Sequence, residues 1–113
     1  MNLGDICWMT PPPAGGRVQQ GRRPGIIWQN GVAFPSLPTI LMIPLTSQQA
    51  ALRFGACHLL QPTARNGLSV PSVALVFQLA AVDSGDVGTK IGELDDADRL
   101  VLQELTRRLT GLP

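Results

Sequence analysis

Between Thr39 and Ser47 the chain runs "TILMIPLTS", an almost unbroken apolar stretch closed by two hydroxyl residues. It is far too short to span a membrane, and it lacks the apolar–polar alternation of a strand with one wet face. A strand buried on both faces is the reading that remains. Such a strand needs partners on both edges and cover on both sides, so the rest of the chain must wrap around it. The other apolar segments are short enough to do so: "GDICWM" (4–9), "PGIIWQ" (24–29), "CHLLQ" (57–61), "SVALVFQLAAV" (72–82) and "KIGEL" (90–94). Twelve glycines and ten prolines in 113 residues also favour strands and loops over a helical bundle.

The connections follow from the same punctuation. Three successive prolines, Pro11 to Pro13, and "AGGRVQQG" make a long first loop. "NGVAFPSLP" is a second loop, 48–56 suits a short helical turn, and "PTARNGLSVP" carries an Asn-Gly turn signal. The end of 72–82, with "DSGDVG", is expected to curl into a turn or short helix. The last segment is the one good helix. Asp95 suits the N-cap, Asp96 and Asp98 suit the positive end of the dipole, and Arg107 and Arg108 suit the other. Ala97, Val101, Leu105 and Leu109, with Leu102, form its expected buried stripe, and Gly111 ends it. Five to seven strands and a terminal helix predict one domain over 1–113. Its class is mainly β with some α, a small curled antiparallel sheet or barrel.

Charge is scarce, at 15% of residues, and unevenly placed. Residues 1–82 hold five arginines against the single acid Asp5, whereas residues 83–113 hold four basic groups against seven acids. The basic part is all arginine, the side chain best shaped for bidentate phosphate contact. Cys7 and Cys57 lie far apart inside apolar stretches and suit buried free thiols. The N-terminus lacks the charge and apolar run of a secretion signal, so a cytoplasmic location, with no membrane partner, is expected.

Most catalytic chemistries lack their residues. One histidine and no tyrosine are present, without a phosphate loop or zinc spacing, so no metal and no cofactor is expected. His58, between Cys57 and Leu59, suits a structural role better than a triad. What remains is arginine and hydroxyl. If "GRRP" opens one strand and "PLTS" closes its antiparallel neighbour, Arg23 and Thr46 meet at one rim of the sheet. A guanidinium and a hydroxyl there can hold a phosphate. RNA brings its own nucleophile, the 2′-hydroxyl, so positioning and charge neutralisation can suffice. The plainer reading is a strand-start arginine paired with a carboxylate, and ordinary turn chemistry at Thr46-Ser47.

"GDICWM", "GRRPGII", "TILMIPLTS", "NGLSVPSVALVFQL", "VD" and "KIGELDDAD" follow one another in the order and at roughly the spacing of the MazF/PemK toxins, which this sequence resembles over nearly its whole length. The resemblance implies an SH3-like β-barrel with a C-terminal helix, acting as the toxin of a type II toxin–antitoxin system. It implies a metal-independent endoribonuclease that cuts single-stranded mRNA, leaving 2′,3′-cyclic phosphate and 5′-hydroxyl ends. It further implies a homodimer whose groove takes RNA, or the acidic C-terminal segment of a cognate antitoxin. The family's catalytic pair falls on Arg23 and Thr46. Arg17, Gln19 and Gln20 fall in the RNA-covering loop, Ser47 and Gln78 at the groove, and Arg22 beside the catalytic arginine as an electrostatic helper or a salt-bridge partner.

Departures accompany the match. Where many relatives have an acid and an arginine around "FQLAAVD", this chain has Phe77 and Ala80, and Leu75 and Phe77 replace the pair some PemK-type members use. Gln78 and Asp83 are retained, and Trp28 replaces a smaller apolar residue, suited to core or interface packing. Two alternatives stay open. One is a gyrase-binding toxin of the CcdB type, whose usual C-terminal Trp-Gly-Ile is absent from "LTGLP". The other is a weakened toxin kept for antitoxin binding.

Overall fold

In the computed structural model, which describes residues 1–12 and 21–113, strand β3 spans Thr39–Thr46 and organises everything else. Strands β1 (Asp5–Met9) and β2 (Arg23–Ile27) precede it. After it come β4 (Cys57–Leu60), β5 (Ser72–Leu75), β6 (Ala80–Asp83), β7 (Val87–Glu93) and helix α1 (Asp96–Thr110). The seven strands are antiparallel in the order β4-β5-β3-β2-β1-β7, with β6 also on β3. The expected mainly β architecture with one terminal helix is therefore what forms.

On one edge β3 pairs with β2, Gly25 facing Pro44 and Ile27 facing Met42. On the other it changes partner midway: Thr39 to Met42 pair with β6, and Leu45 and Thr46 pair with β5. A proline inside a central strand ordinarily removes a ladder hydrogen bond. Here Trp28 N–H donates to Leu41 O at 2.8 Å, so alternation turns the nitrogen of residue 44 away from β2. It points into the gap between β6 and β5, where no amide is required. Gln29, expected to close β2, lies past its end. Its side-chain amide nevertheless continues the ladder, accepting from Leu41 N–H at 3.0 Å and donating to Thr39 O at 3.3 Å.

Alternation along the strands sorts two apolar clusters onto opposite faces. Ile6, Ile26, Trp28, Ile43, Leu45 and Ala74 join Leu102 of α1 on one face. Cys7, Met9, Ile27, Met42 and Val82 fill the other. Gly25 is required there, because a Cβ would lie 2.0 Å from Met9 Sδ.

Several expectations need correction. The run 72–82 is not a single strand, because a 3₁₀ turn at Val76–Gln78 divides it into β5 and β6; the curl expected at "DSGDVG" does form, as a 3₁₀ turn at Ser84–Asp86. The last strand begins at Val87 rather than Lys90. Residues 49–53 do form a short 3₁₀ turn. On α1 the inward line runs through buried Leu102 and half-buried Asp98, Leu105 and Thr106, while Ala97, Val101 and Leu109 are exposed. The reason is that polar side chains dock the helix. His58 Nε2 meets Asp98 Oδ1 at 2.8 Å, Thr63 Oγ1 donates to Asp95 Oδ2 at 2.7 Å, and Arg65 Nη1 donates to Asp96 Oδ1 at 3.1 Å. Asp95 stands at the N-cap position without a capping side-chain bond, so the three aspartates fasten the helix to β4 and to the loop that follows it. His58 is structural, as expected. Trp28 is core: its Nε1–H donates to Thr106 Oγ1 at 2.9 Å. Cys7 is a buried free thiol, and Cys57 is only partly buried.

Candidate nucleic-acid cleavage site

Continuing the β2–β3 register two residues past Gly25–Pro44 places Arg23 opposite Thr46. The strand end and the strand start meet at one rim, as the sequence implies. Pro24 is tolerated because it follows a strand start at the sheet's end. The Arg23 guanidinium donates from Nη1 to Leu45 O and from Nε to Gly21 O, both at 3.4 Å. Partial burial pulls its pKa below the usual arginine value. Thr46 is buried, and its Oγ1 accepts from Gln48 N–H at 3.2 Å. That bond fixes the hydroxyl oxygen and leaves its O–H to donate outward.

Both residues open into a cleft of about 430 Å³ lined also by Trp8, Arg22, Pro24, Ser47, Gln48, Ser69, Val70 and Ser72. Among the described residues two arginines and no carboxylate line it, so the cleft suits an anion. A slightly larger hollow, about 470 Å³, lies elsewhere around Gln29, Phe34 and Leu37 and carries no charged side chain. Size alone would select it, and chemistry selects the other.

Of the site residues named from the sequence, Arg22, Arg23, Thr46 and Ser47 come together. Gln78 ends the turn between β5 and β6 and does not line the cleft. Arg17, Gln19 and Gln20 lie outside the described residues. Phe77 packs on Phe54, ring centroids 5.5 Å apart, and Ala80 pairs with Met42. Neither lines the cleft, so within this chain the departures from the family pattern fall away from the Arg23–Thr46 pair.

Sequence reasoning missed the far wall, Trp8 and Ser69 to Ser72. The Ser69 to Ser72 part of that wall follows Asn66, which is buried and hydrogen-bonded through both its amide oxygen and its amide nitrogen. Its Oδ1 accepts from Thr63 and Leu68 N–H, both at 3.0 Å, and its Nδ2 donates to Gln61 O at 2.8 Å. Gly67 follows with φ +68° and no room for a Cβ, which would lie 2.3 Å from Ile91 O. The Asn-Gly pair was the available signal, pointing to a turn but not to what the turn presents.

A small antiparallel sheet with a terminal helix and an arginine-lined cleft at one rim defines a small β-protein with a site suited to an anion. The model of PemK-like, MazF-like toxins of type II toxin–antitoxin systems matches residues 2–110, and the chain belongs to that family. It is 29% identical over 93 residues to Endoribonuclease EndoA of Bacillus subtilis, covering 82% of this chain and 79% of that one. MazF from Deinococcus radiodurans superposes with a TM-score of 0.79 at 22% identity, over 99% of this chain and 97% of the other. An endoribonuclease from a mycobacterial species, solved with its cognate antitoxin, superposes at 0.75 and 14% identity, over 100% and 97%.

Proposed function

We propose that this toxin is a metal-independent endoribonuclease that cuts single-stranded mRNA, with Arg23 and Thr46 acting on the scissile phosphate. The observation that carries the reading is their register-matched meeting in a cleft that no carboxylate among the described residues lines. The 2′-oxygen attacks phosphorus, its proton leaves to a base or water, and the P–O5′ bond breaks as O5′ takes up a proton. The products are a 2′,3′-cyclic phosphate and a 5′-hydroxyl. Arg23 balances the charge of the phosphorane, and a part for it in proton transfer is assigned by resemblance alone. Thr46 donates its hydroxyl to a non-bridging oxygen. Ser47 and Arg22 flank the phosphate, while Arg17, Gln19, Gln20 and Gln78 are assigned to RNA contacts by resemblance alone.

The partners follow: single-stranded RNA, a second copy of the chain, and an antitoxin whose acidic segment competes for the basic cleft. The toxin works in the cytoplasm; among the described residues no helix is long and apolar enough to cross a membrane.

The test is incubation of the purified chain with a long unstructured RNA in EDTA. Discrete cuts ending in cyclic phosphate are expected, falling about a hundredfold or more in Arg23→Ala and severely in Thr46→Ala. Cutting that survives both substitutions, or needs an added metal, would refute the assignment.

A further inference from the structure

Trp8 is the one residue of β1 whose side chain is exposed, at 38%, among four buried neighbours. Its surroundings look built to present it. The β1–β7 register shifts between Cys7 and Met9, so β7 carries an extra residue opposite Trp8. Bulges of this kind commonly re-aim a side chain near a site. Gly88 lies in that bulge, and a Cβ there would come within 2.7 Å of Arg22 Nη2 and 3.4 Å of Trp8 Cβ. The missing side chain leaves room for Arg22, whose guanidinium lies 5.7 Å from the indole centroid. A cation over an indole is attracted to the ring's negative face, so Arg22 is held in place without neutralising its charge.

The register also explains why the tryptophan and the chemistry can share a cleft without colliding. Trp8 pairs with Pro24, and Met9 pairs with Arg23. Trp8 and the Arg23–Thr46 pair are therefore one residue out of phase and project to opposite faces of the sheet. The cleft wraps the rim between them. A smaller hollow, about 80 Å³, adjoins it: Trp8, Pro24, Ser69, Val70 and Ser72 line both, but Arg22, Arg23 and Thr46 line only the larger. A nucleotide divides in the same way, with an anionic phosphate on one side of the sugar and a flat apolar base on the other.

We infer that Trp8 is a base-stacking platform: it holds a nucleobase adjoining the scissile phosphate against the wall at Val70, while Arg22 on the indole faces the phosphate backbone. This rests on the nuclease reading for the identity of the strand, but not for the existence of the base subsite.

Its test uses the full chain and dye-labelled d(N)6, a pool of deoxyhexanucleotides that lacks the 2′-hydroxyl and cannot be cut by this route. An abasic deoxyribose-phosphate hexamer is the control, and both are followed by anisotropy. Trp8→Ala is expected to weaken d(N)6 binding about tenfold or more with a clearly smaller loss toward the abasic hexamer, and Trp8→Phe to retain most of the binding of both. In Trp28→Phe, where Trp8 is the sole indole, d(N)6 should quench tryptophan emission and the abasic hexamer should not. Equal d(N)6 affinity in Trp8→Ala and wild type would overturn the inference. So would an equal loss toward both hexamers, since the indole would then serve only to seat Arg22. Trp8-dependent binding of bases by a wild-type chain that cuts no RNA would sink the nuclease reading and leave the subsite. RNA cutting with no dependence of base binding on Trp8 would do the reverse.

Discussion

Arg23 and Arg22 are neighbours in sequence with different surroundings. Arg23 is partly buried against backbone carbonyls at the rim, and Arg22 lies across an indole over a glycine. Substitution should separate them. Arg23→Lys keeps the charge but loses the planar fork, so cutting should still fall by an order of magnitude or more, measured as kcat/KM. Gly88→Ala displaces Arg22 without touching Arg23, and should weaken RNA binding more than it slows the bound reaction. Asn66→Ala removes three hydrogen bonds made by a buried side chain in a mostly exposed loop. It should lower stability by about 2–3 kcal/mol in chemical denaturation. Burial also raises the Cys7 thiol pKa, so at neutral pH it stays protonated and should resist alkylation until the chain unfolds, as a mass-labelling time course would show.

At the level of elements, α1 is held by one fully buried leucine and a set of polar ties. Leu102→Ala should cost about 2–5 kcal/mol through the cavity it leaves. Thr106→Val strands the Trp28 N–H and should cost about 1–3 kcal/mol. Urea melts of both variants check the order. These ties also show where the sequence could be read and where it could not. β3 was legible because burial on both faces leaves an unbroken apolar run, and Arg23 and Thr46 were legible because a strand's end and its neighbour's start must meet. The division of 72–82 was not, because the apolar run continues through the turn. Val76 belongs to one cluster and Val82 to the other, so no change in hydrophobicity marks the handover. The helix stripe was misread because α1 is apolar on its wet side too, Leu100 being 67% exposed. Trp8 escaped notice because its role depends on a bulge in a strand some eighty residues away in sequence.

For the whole molecule, two of the five arginines of residues 1–82, Arg22 and Arg23, share a cleft, and three of the seven acids of the last segment, Asp95, Asp96 and Asp98, dock α1. Binding of single-stranded RNA should therefore weaken steeply with salt, and Arg22→Ala should flatten the slope by about 0.7 of a log unit per log unit of salt. The same layout governs when the protein becomes dangerous. β1 is the first strand made, yet it is sandwiched between β2 and β7, and Trp8 and Arg22 are positioned by Gly88. Pairings this distant in sequence form late and slowly. Without β7 neither Trp8 nor Arg22 is seated, so the cleft is completed only when the strand farthest from β1 in sequence has docked beside it.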